Sequence, residues 1–316
     1  MATTTTADVA GKRVKSADTP ISTWGKARER LAWLLVAPSV IVVVAVAIYP
    51  LFQAFRLSLT DTNLNRPGEP SYVWFDNYRY LFNNRGNPGF LDALWHTVEF
   101  TVASVALETV LGICVALIIH SNFKGRGVIR TAMLVPWAIP TVVSSRMWQW
   151  MLHDNYGVIN DVLVNKLHIV DKKVAFLSNA NTSLPSIIAV DVWKTTPFMA
   201  LLILAGLQVI PGDVYEASRV DGASKWQQFW QITLPLLRPA LLVALIFRTL
   251  DAFRVFDIVY VMKGYAAEAM TVAVWAQQDL VARGRLGRGS AASVVIFVCI
   301  GVMVYVYTRL VKVEEV

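Results

Sequence analysis

Residues 210–235 read IPGDVYEASRVDGASKWQQFWQITLP, a polar segment between two strongly apolar runs. Asp213 and Glu216 have the spacing of a capping box, in which two side chains satisfy free backbone N–H groups at a helix start. Gly222 tolerates the left-handed backbone conformation that commonly ends a helix. The pattern therefore predicts a short helix that begins near Asp213 and ends at Gly222.

A second short helix is predicted directly after that turn. Ser224 and Gln227 repeat the capping-box spacing. Trp226, Phe229 and Trp230 then fall at i, i+3 and i+4, which places them on one face of a helix. The segment is thus expected to form two short helices joined by a fixed turn. A rigid elbow of this kind can transmit a push from a partner protein, whereas a flexible loop would dissipate it.

On both sides of this elbow the chain is unusually apolar. Of its 316 residues, 55% are hydrophobic and 16% are charged, and the runs Leu31–Phe55 and Gly289–Thr308 contain no charged side chain. About 20 apolar residues suffice for a helix to cross the hydrocarbon core. The sequence therefore predicts an all-α membrane protein with six transmembrane helices, at about 31–55, 97–119, 131–152, 185–207, 240–262 and 290–309.

The distribution of basic residues indicates which side of the membrane each loop occupies. Lys and Arg are enriched on the cytoplasmic side. Here they crowd the start of the first span and the short loop after the second, at Lys26, Arg28, Arg30, Lys124, Arg126 and Arg130. Both termini and the elbow are therefore expected in the cytoplasm, with residues 1–30 as a cytoplasmic tail and amphipathic lead-in to the transmembrane domain, 31–316. The loops at 56–96, 153–184 and 263–289 are then external.

The sequence argues against several other classes of protein. It contains no GxxxxGK[ST], GxSxG or HExxH motif, so no catalytic residue is assigned. The four histidines lack ligand spacing and both cysteines lie in apolar runs, so neither a metal site nor a disulfide is expected. A secondary transporter or channel would not need the elbow. A structural scaffold would not need the charges that lie within the predicted spans.

The elbow resembles the EAA loop of the permeases of ABC importers, over about residues 208–238. The matching residues are Glu216, Ala217, Ser218, Asp221, Gly222, Ala223, Ile232, Leu234 and Pro235. Ser218, which stands where the family pattern has alanine, is the only departure. The resemblance implies a type I ABC importer permease fold in which these residues couple the membrane domain to a separate ATPase.

The resemblance extends over most of the chain. The opening around Tyr49–Thr60 is similar to carbohydrate permeases of the maltose-porter F type, and Val192–Phe198 and Phe247–Asp257 look closer still to the first permease of actinobacterial trehalose importers. It implies import of trehalose or a related disaccharide, with maltodextrins, glycerol phosphodiesters and other oligosaccharides as rival substrates. It also implies a second permease subunit of similar topology, two copies of a cytoplasmic ABC ATPase that binds the ATP, and an extracytoplasmic sugar-binding lipoprotein. No cofactor of the chain itself and no nucleic acid is expected.

Polar residues inside the predicted spans mark a candidate substrate path, because a charge at the centre of a spanning helix costs on the order of 2.5–3.5 kcal/mol on insertion scales. The candidates are Asp191, Trp193 and Lys194 in the fourth span and Arg248, Asp251, Arg254 and Asp257 in the fifth, with Trp193 as a stacking face for a sugar ring. In the fifth span, neighbours three apart alternate in sign and can neutralise each other. Two interpretations stay open at this point: the charges line the sugar path or its gate, or they form a salt bridge to the second permease.

Two further ionisable residues in the spans receive structural interpretations. Glu108, in the second span, is interpreted as a helix–helix hydrogen-bonding group in preference to a ligand contact. Arg146, near the end of the third span, can extend its charged end toward the membrane surface.

Overall fold

A computed structural model describes residues 23–66, 68–83, 86 and 88–310 of the chain. Most of the predicted N-terminal tail, residues 1–22, lies outside this range. Within the described residues the regular structure is helical, and the only extended pairing is an isolated bridge between Thr60 and Tyr72. By internal packing the chain divides into two compact units, residues 1–53 and residues 54–316.

The first apolar run forms one long helix. It comprises α1 (Thr23–Val43), a π-helical turn (Val44–Ile48) and α2 (Tyr49–Ser58). Its apolar stretch, Arg28–Ser58, is 31 residues long, which exceeds the roughly 20 residues that a span requires. The first predicted span lies within it.

Downstream of this helix, long helices alternate with short ones. In chain order they are α3 (Asp76–Asn83), α4 (Phe90–His120), α5 (Arg126–Ala138), α6 (Thr141–Met151), α7 (Val158–Asn160), α8 (Ala180–Val209), α9 (Gly212–Val220), α10 (Lys225–Gln228), α11 (Leu234–Phe253), α12 (Asp257–Lys263), α13 (Val272–Gln277) and α14 (Leu286–Leu310). π-helical turns extend three of them over Asp161–Lys166, Phe229–Thr233 and Gln278–Ala282, and a 3-10 turn occupies Ala267–Ala269.

Five helices in the described part of the chain are long and apolar enough to cross a membrane, and one bent pair would bring the number to six. The predicted spans at about 97–119, 185–207 and 290–309 lie inside Phe90–His120, Ala180–Val209 and Leu286–Arg309. The prediction of an all-α membrane protein is therefore confirmed.

The third predicted span, 131–152, is not one straight helix. It is divided into α5 and α6, which meet at an angle of 90°. The cause is Pro140, which lacks a backbone N–H and disfavours helical geometry in the residue before it. Ile139 is accordingly extended, with φ −71° and ψ 132°.

The fifth predicted span, 240–262, is also interrupted. α11 ends at Phe253, the chain leaves helical geometry from Arg254 to Phe256, and α12 begins at Asp257. The i, i+3 spacing of the four charges in this span predicts that they lie on one continuous helix. That expectation is wrong, since the backbone at Phe256 has φ −131° and ψ −63° and turns Asp257 into the first turn of a new helix.

Part of the core of the larger unit is built where α4, α8 and α11 pack together. Buried side chains from these three helices form one apolar cluster, which includes Ile119, Ile203 and Leu237. Small residues allow the close approach, as is common between membrane helices. A Cβ atom at Gly206 of α8 would lie 2.4 Å from the Cβ of Ala240 in α11. The backbone of α8 at Gly206 therefore packs directly against Ala240 of α11, with no room for a side chain at Gly206.

Replacing Gly206 with alanine should reduce the amount of folded protein. The added methyl group overlaps Ala240, and overpacking of a tight interface typically costs about 1–3 kcal/mol. Gly301→Ala is the matched control, because a Cβ there meets no atom within 4 Å. The measurement is the midpoint of thermal aggregation of the purified complex. Equal midpoints for the two variants would contradict a close contact at Gly206.

Candidate functional site

A charged cavity of about 270 Å³ lies where α6, α8, α11 and α12 meet. Six of the seven predicted substrate-path residues line it, namely Asp191, Lys194, Arg248, Asp251, Arg254 and Asp257. The break between α11 and α12 contributes to this convergence, because it brings the linker Arg254–Phe256 and the start of α12 to the cavity wall. The structure thus gathers residues that the sequence places on two separate spans.

Arg248 is the centre of a buried ion-pair network. Its side chain is only 2% exposed. Its Nε and Nη2 donate to the two carboxylate oxygens of Glu108, the latter over 2.9 Å, and Nη2 also donates to Asp191 Oδ2. Nη1 donates to Asp251 Oδ2 over 3.1 Å. One guanidinium therefore binds three carboxylates, which suits its planar array of five N–H donors.

Glu108 joins three helices through this network. The side chain is fully buried on α4 and accepts hydrogen bonds from Arg248 of α11 and from Thr195 Oγ1 of α8, the latter over 2.6 Å. This agrees with its interpretation as a helix–helix hydrogen-bonding group. Its partner Arg248 was not predicted from the sequence, and it places Glu108 in the same cluster as the predicted path residues. One feature of the sequence pointed to such a partner: Glu108 lies within a span and has no Lys or Arg three or four residues away on the same helix, so its cation has to come from another helix.

Neighbouring charges three residues apart pair as the spacing predicts, and Arg248 has further partners on other helices. Asp251 lies between two arginines, 3.1 Å from Arg248 and 3.8 Å from Arg254. The side chains of Asp251 and Arg254 are 61% and 68% exposed. Arg248 is satisfied within this chain, so it is not the residue that a salt bridge to a second permease would use. Asp251 and Arg254 are the members of the network that a ligand or partner can reach.

Lys194 lines the cavity and also makes a structural hydrogen bond. Its Nζ donates to the backbone carbonyl of Ile139, at the bend between α5 and α6. That carbonyl needs a donor because Pro140 and the bend interrupt the helical hydrogen bonds. Lys194 therefore ties the bend to α8 while its side chain lines the cavity.

Trp193 does not line the charged cavity. Its ring packs edge-to-face against Trp148 of α6, with ring centroids 5.3 Å apart. Trp193 therefore presents no face to this cavity, and its role as a stacking face for a sugar ring stays a prediction. Its neighbours on α8 point into the cavity because they lie on a different side of the helix.

The elbow consists of α9 and α10 joined by a tight turn. Gly222 has φ +81°, as its position after the first helix predicts. The Ser224–Gln227 capping box forms, with Ser224 N donating to Gln227 Oε1 over 2.8 Å and Gln227 N donating to Ser224 Oγ over 3.3 Å. The predicted box at Asp213 and Glu216 does not form, because Pro211 is the N-cap residue and Asp213 already lies in the first turn. A carboxylate there is still favourable at the positive end of the helix.

Side-chain bonds make the elbow rigid. Gln228 of α10 donates to Ser218 Oγ of α9 over 3.0 Å, and Tyr215 of α9 bonds Thr233 over 3.0 Å. Ser218, the departure from the family pattern, thus adds a hydrogen bond that alanine could not make. From Lys225 the chain is helical without interruption to the end of α11.

The residues that match the EAA pattern divide by exposure. Glu216, Ala217, Asp221 and Gly222 are exposed on the outside of the elbow, whereas Ser218 is buried within it. Ala223, Ile232, Leu234 and Pro235 are half-buried at and beyond the turn. The exposed set forms the surface that a partner can contact.

Residues 108–313 match the family described as binding-protein-dependent transport system inner membrane component. The chain belongs to this family. It is 39% identical over 284 residues to the trehalose transport system permease protein SugA of Mycobacterium tuberculosis H37Rv, covering 90% of this chain and 89% of the relative. It is 41% identical to the trehalose/maltose transport system permease protein MalF of Thermococcus litoralis, over 89% of this chain and 93% of the relative.

A solved structure shares the fold. A chain of a bacterial ABC transporter involved in the import of the acidic polysaccharide alginate superposes with a TM-score of 0.77 and 23% identity, covering 92% of this chain and 99% of that one. The chain is therefore an ABC transporter permease subunit with the type I importer fold, embedded in the plasma membrane by several spans. A permease of this family works with a partner permease, a separate ATPase subunit and an external binding protein, so the chain itself is not the enzyme.

Proposed function

We propose that this chain imports trehalose or a related disaccharide by alternating access, driven by ATP hydrolysis in the partner ATPase. The observation that carries the proposal is the charged cavity at the meeting point of α6, α8, α11 and α12. It is polar, lies within the bundle of spanning helices, and exposes Asp251 and Arg254. The names of two relatives at about 40% identity point to the same class of substrate.

The chemistry of the cavity suits a neutral sugar. Sugar hydroxyls both donate and accept hydrogen bonds, and a carboxylate beside a guanidinium offers them directional acceptors and donors. Arg248 serves as a positioning residue, because its bond to Asp251 holds that carboxylate at the cavity wall. The volume of about 270 Å³ is below the 300–1,000 Å³ typical of ligand sites. We infer that the second permease supplies the facing wall.

The elbow is the proposed contact with the ATPase. Glu216, Ala217, Asp221 and Gly222 would enter a cleft of a SugC-like ATPase, with both chain termini on the same cytoplasmic side. α10 and α11 form one continuous helix, and Arg248 lies 14 residues after Leu234, which is roughly 20 Å along it. A displacement of the elbow is therefore transmitted along this helix to the wall of the charged cavity.

The full assembly would then contain a SugB-like second permease, two SugC-like ATPase subunits and an LpqY-like external lipoprotein that delivers the sugar. Uptake of labelled trehalose by cells that lack this chain, with and without its restoration, tests the substrate. We expect restoration of the chain to restore uptake. Unlabelled trehalose should compete with the labelled sugar, and an unrelated amino acid should not. Restored uptake of a non-sugar solute alone would overturn the proposal.

The double variant Asp251→Asn, Arg254→Gln separates transport from stability. Both side chains are more than half exposed, so the complex should assemble normally and hydrolyse ATP. Sugar uptake should fall at least about tenfold, because charged hydrogen-bonding partners of the substrate are lost. Assembly, hydrolysis and uptake are measured side by side. Full uptake by the double variant would show that Asp251 and Arg254 are not required to bind the sugar.

A further inference from the structure

A second and larger cavity, of about 710 Å³, lies outside the charged network. It is bounded by the C-terminal half of α6, the segment that follows α6, and the end of α12. Its lining includes Arg146, Trp150, His153, Asp154, Asn155 and Tyr156. Nothing in the EAA elbow or in the charged cavity requires this set of residues.

The two cavities lie at opposite ends of one helix pair. Thr141 and Asp257, at the starts of α6 and α12, line the charged cavity, whereas Trp150 and Lys263, near their ends, line the larger one. The helices are held side by side by Gln149, whose Nε2 donates to the carbonyl of Met262 over 2.9 Å. The seven residues of α12 span about 10 Å. The surface of this helix pair therefore extends from one cavity to the other.

The larger cavity is lined by the aromatic rings of Trp150, His153 and Tyr156, whereas Phe256 is the aromatic residue in the lining of the charged cavity. The side chains of Trp150 and Tyr156 are 57% and 61% exposed. The ring of His153 stacks on Tyr156 with centroids 3.5 Å apart and planes at 13°, which fixes the orientation of the tyrosine. Exposed amphipathic rings offer an apolar face together with a polar edge. Such faces suit the C–H surface of a pyranose ring.

Polar groups surround these rings, and backbone ties hold the wall in place. Asn160 Nδ2 donates to the carbonyls of Asp154 and Val174, over 3.1 Å and 2.9 Å. Lys263 donates to the carbonyl of Leu177 and pairs with Glu268 over 2.6 Å. The hydrogen bond from Lys263 to Glu268 holds the pKa of the Glu268 carboxyl below its ordinary value. The segment after α6 is therefore held in place by hydrogen bonds, and its residues Asp154 and Asn155 line the cavity together with the aromatic rings.

We infer that this larger cavity is a first binding station for the transported sugar, at the external end of the path that α6 and α12 form. The inference rests on the proposed function, and on the predicted external position of residues 153–184. A pyranose ring would stack on Trp150 or Tyr156 while its hydroxyls bond Asp154, Asn155 and Arg146. The sugar would then move along α12 to Asp251 and Arg254.

The first test uses Trp150→Ala in the complete transporter, with Trp95→Ala as the control. Trp95 is 67% exposed on α4 and lines neither cavity. The station predicts a rise of about fivefold to tenfold in the KM for sugar uptake, with maximal rate, assembly and ATP hydrolysis retained. An unchanged KM, in a transporter whose wild type takes up the sugar, would overturn the station and leave the proposed function intact.

A second measurement keeps the inference testable if Trp150→Ala fails to assemble. The Asn155→Cys variant of the complete transporter is labelled with a membrane-impermeant maleimide added outside. The unsubstituted chain is labelled in parallel, to measure the background from Cys114 and Cys299. Trehalose alone, without the binding protein, should slow labelling at least about threefold relative to an osmotically matched salt. Labelling from inside only, or labelling that trehalose leaves unchanged, would overturn the inference.

Discussion

Replacing Arg248 with methionine is expected to leave almost no assembled transporter in the membrane. Arg248 is the cation that pairs with both Glu108 and Asp191, and both carboxylates are buried. Removing one partner of a buried ion pair typically costs about 3–5 kcal/mol, because the remaining charge has no compensation. Here two carboxylates would lose their cation. The measurement is the amount of second permease and ATPase that copurifies with the tagged chain.

Two variants control this experiment. Arg254→Met removes a guanidinium that directly follows the same helix and whose side chain is 68% exposed, so assembly should stay close to wild type. The triple variant Arg248→Met, Glu108→Gln, Asp191→Asn removes the buried guanidinium together with both buried carboxylates, and it should recover part of the assembly. Normal copurification of the single Arg248→Met variant would show that the network does not hold the three helices together.

Gly222→Val is expected to abolish sugar uptake. The turn between α9 and α10 requires φ +81°, which costs a non-glycine residue about 1–2 kcal/mol and a β-branched residue more. No atom lies within 4 Å of a Cβ placed there, so the effect comes from the backbone and not from a clash. Relief of the strain would redirect α9 and withdraw Glu216 from its partner. Uptake and ATP hydrolysis are measured on the same membranes.

The matched variants for this turn are Gly222→Asn and Gly212→Ala. Asparagine tolerates the left-handed conformation better than other non-glycine residues, so Gly222→Asn should retain most uptake. Gly212 begins α9 without positive φ and without a neighbour of its Cβ, and its alanine variant should transport normally. Wild-type uptake by Gly222→Val would contradict the coupling role of this turn.

Both predictions concern the same mechanical element. The elbow and the buried arginine are joined by the uninterrupted helix from Lys225 to Phe253. Loss of the network at one end should disrupt helix packing, whereas strain at the other end should uncouple hydrolysis from transport. Hydrolysis in the absence of uptake therefore distinguishes the second defect from the first.

Local features were predicted well because their causes are local. The charge-free runs required spanning helices, since an unpaired backbone cannot cross a bilayer. Gly222 predicted its own left-handed turn, and Ser224 with Gln227 predicted the second helix start. The Asp213 box failed because Pro211 begins the helix earlier, so a competing local signal decided the boundary.

The sequence by itself determined the spans, the elbow and the set of residue types that line the candidate path. The tertiary structure decided which of those residues meet. Arg248 binds Glu108 and Asp191, which lie 140 and 57 positions away in the chain, and no spacing rule reaches that far. The break after Phe253 and the bend before Pro140 then set which side chains face the cavity. Periodicity reports the faces of one helix, but the pairing of faces depends on how α4, α8 and α11 fill the space between them.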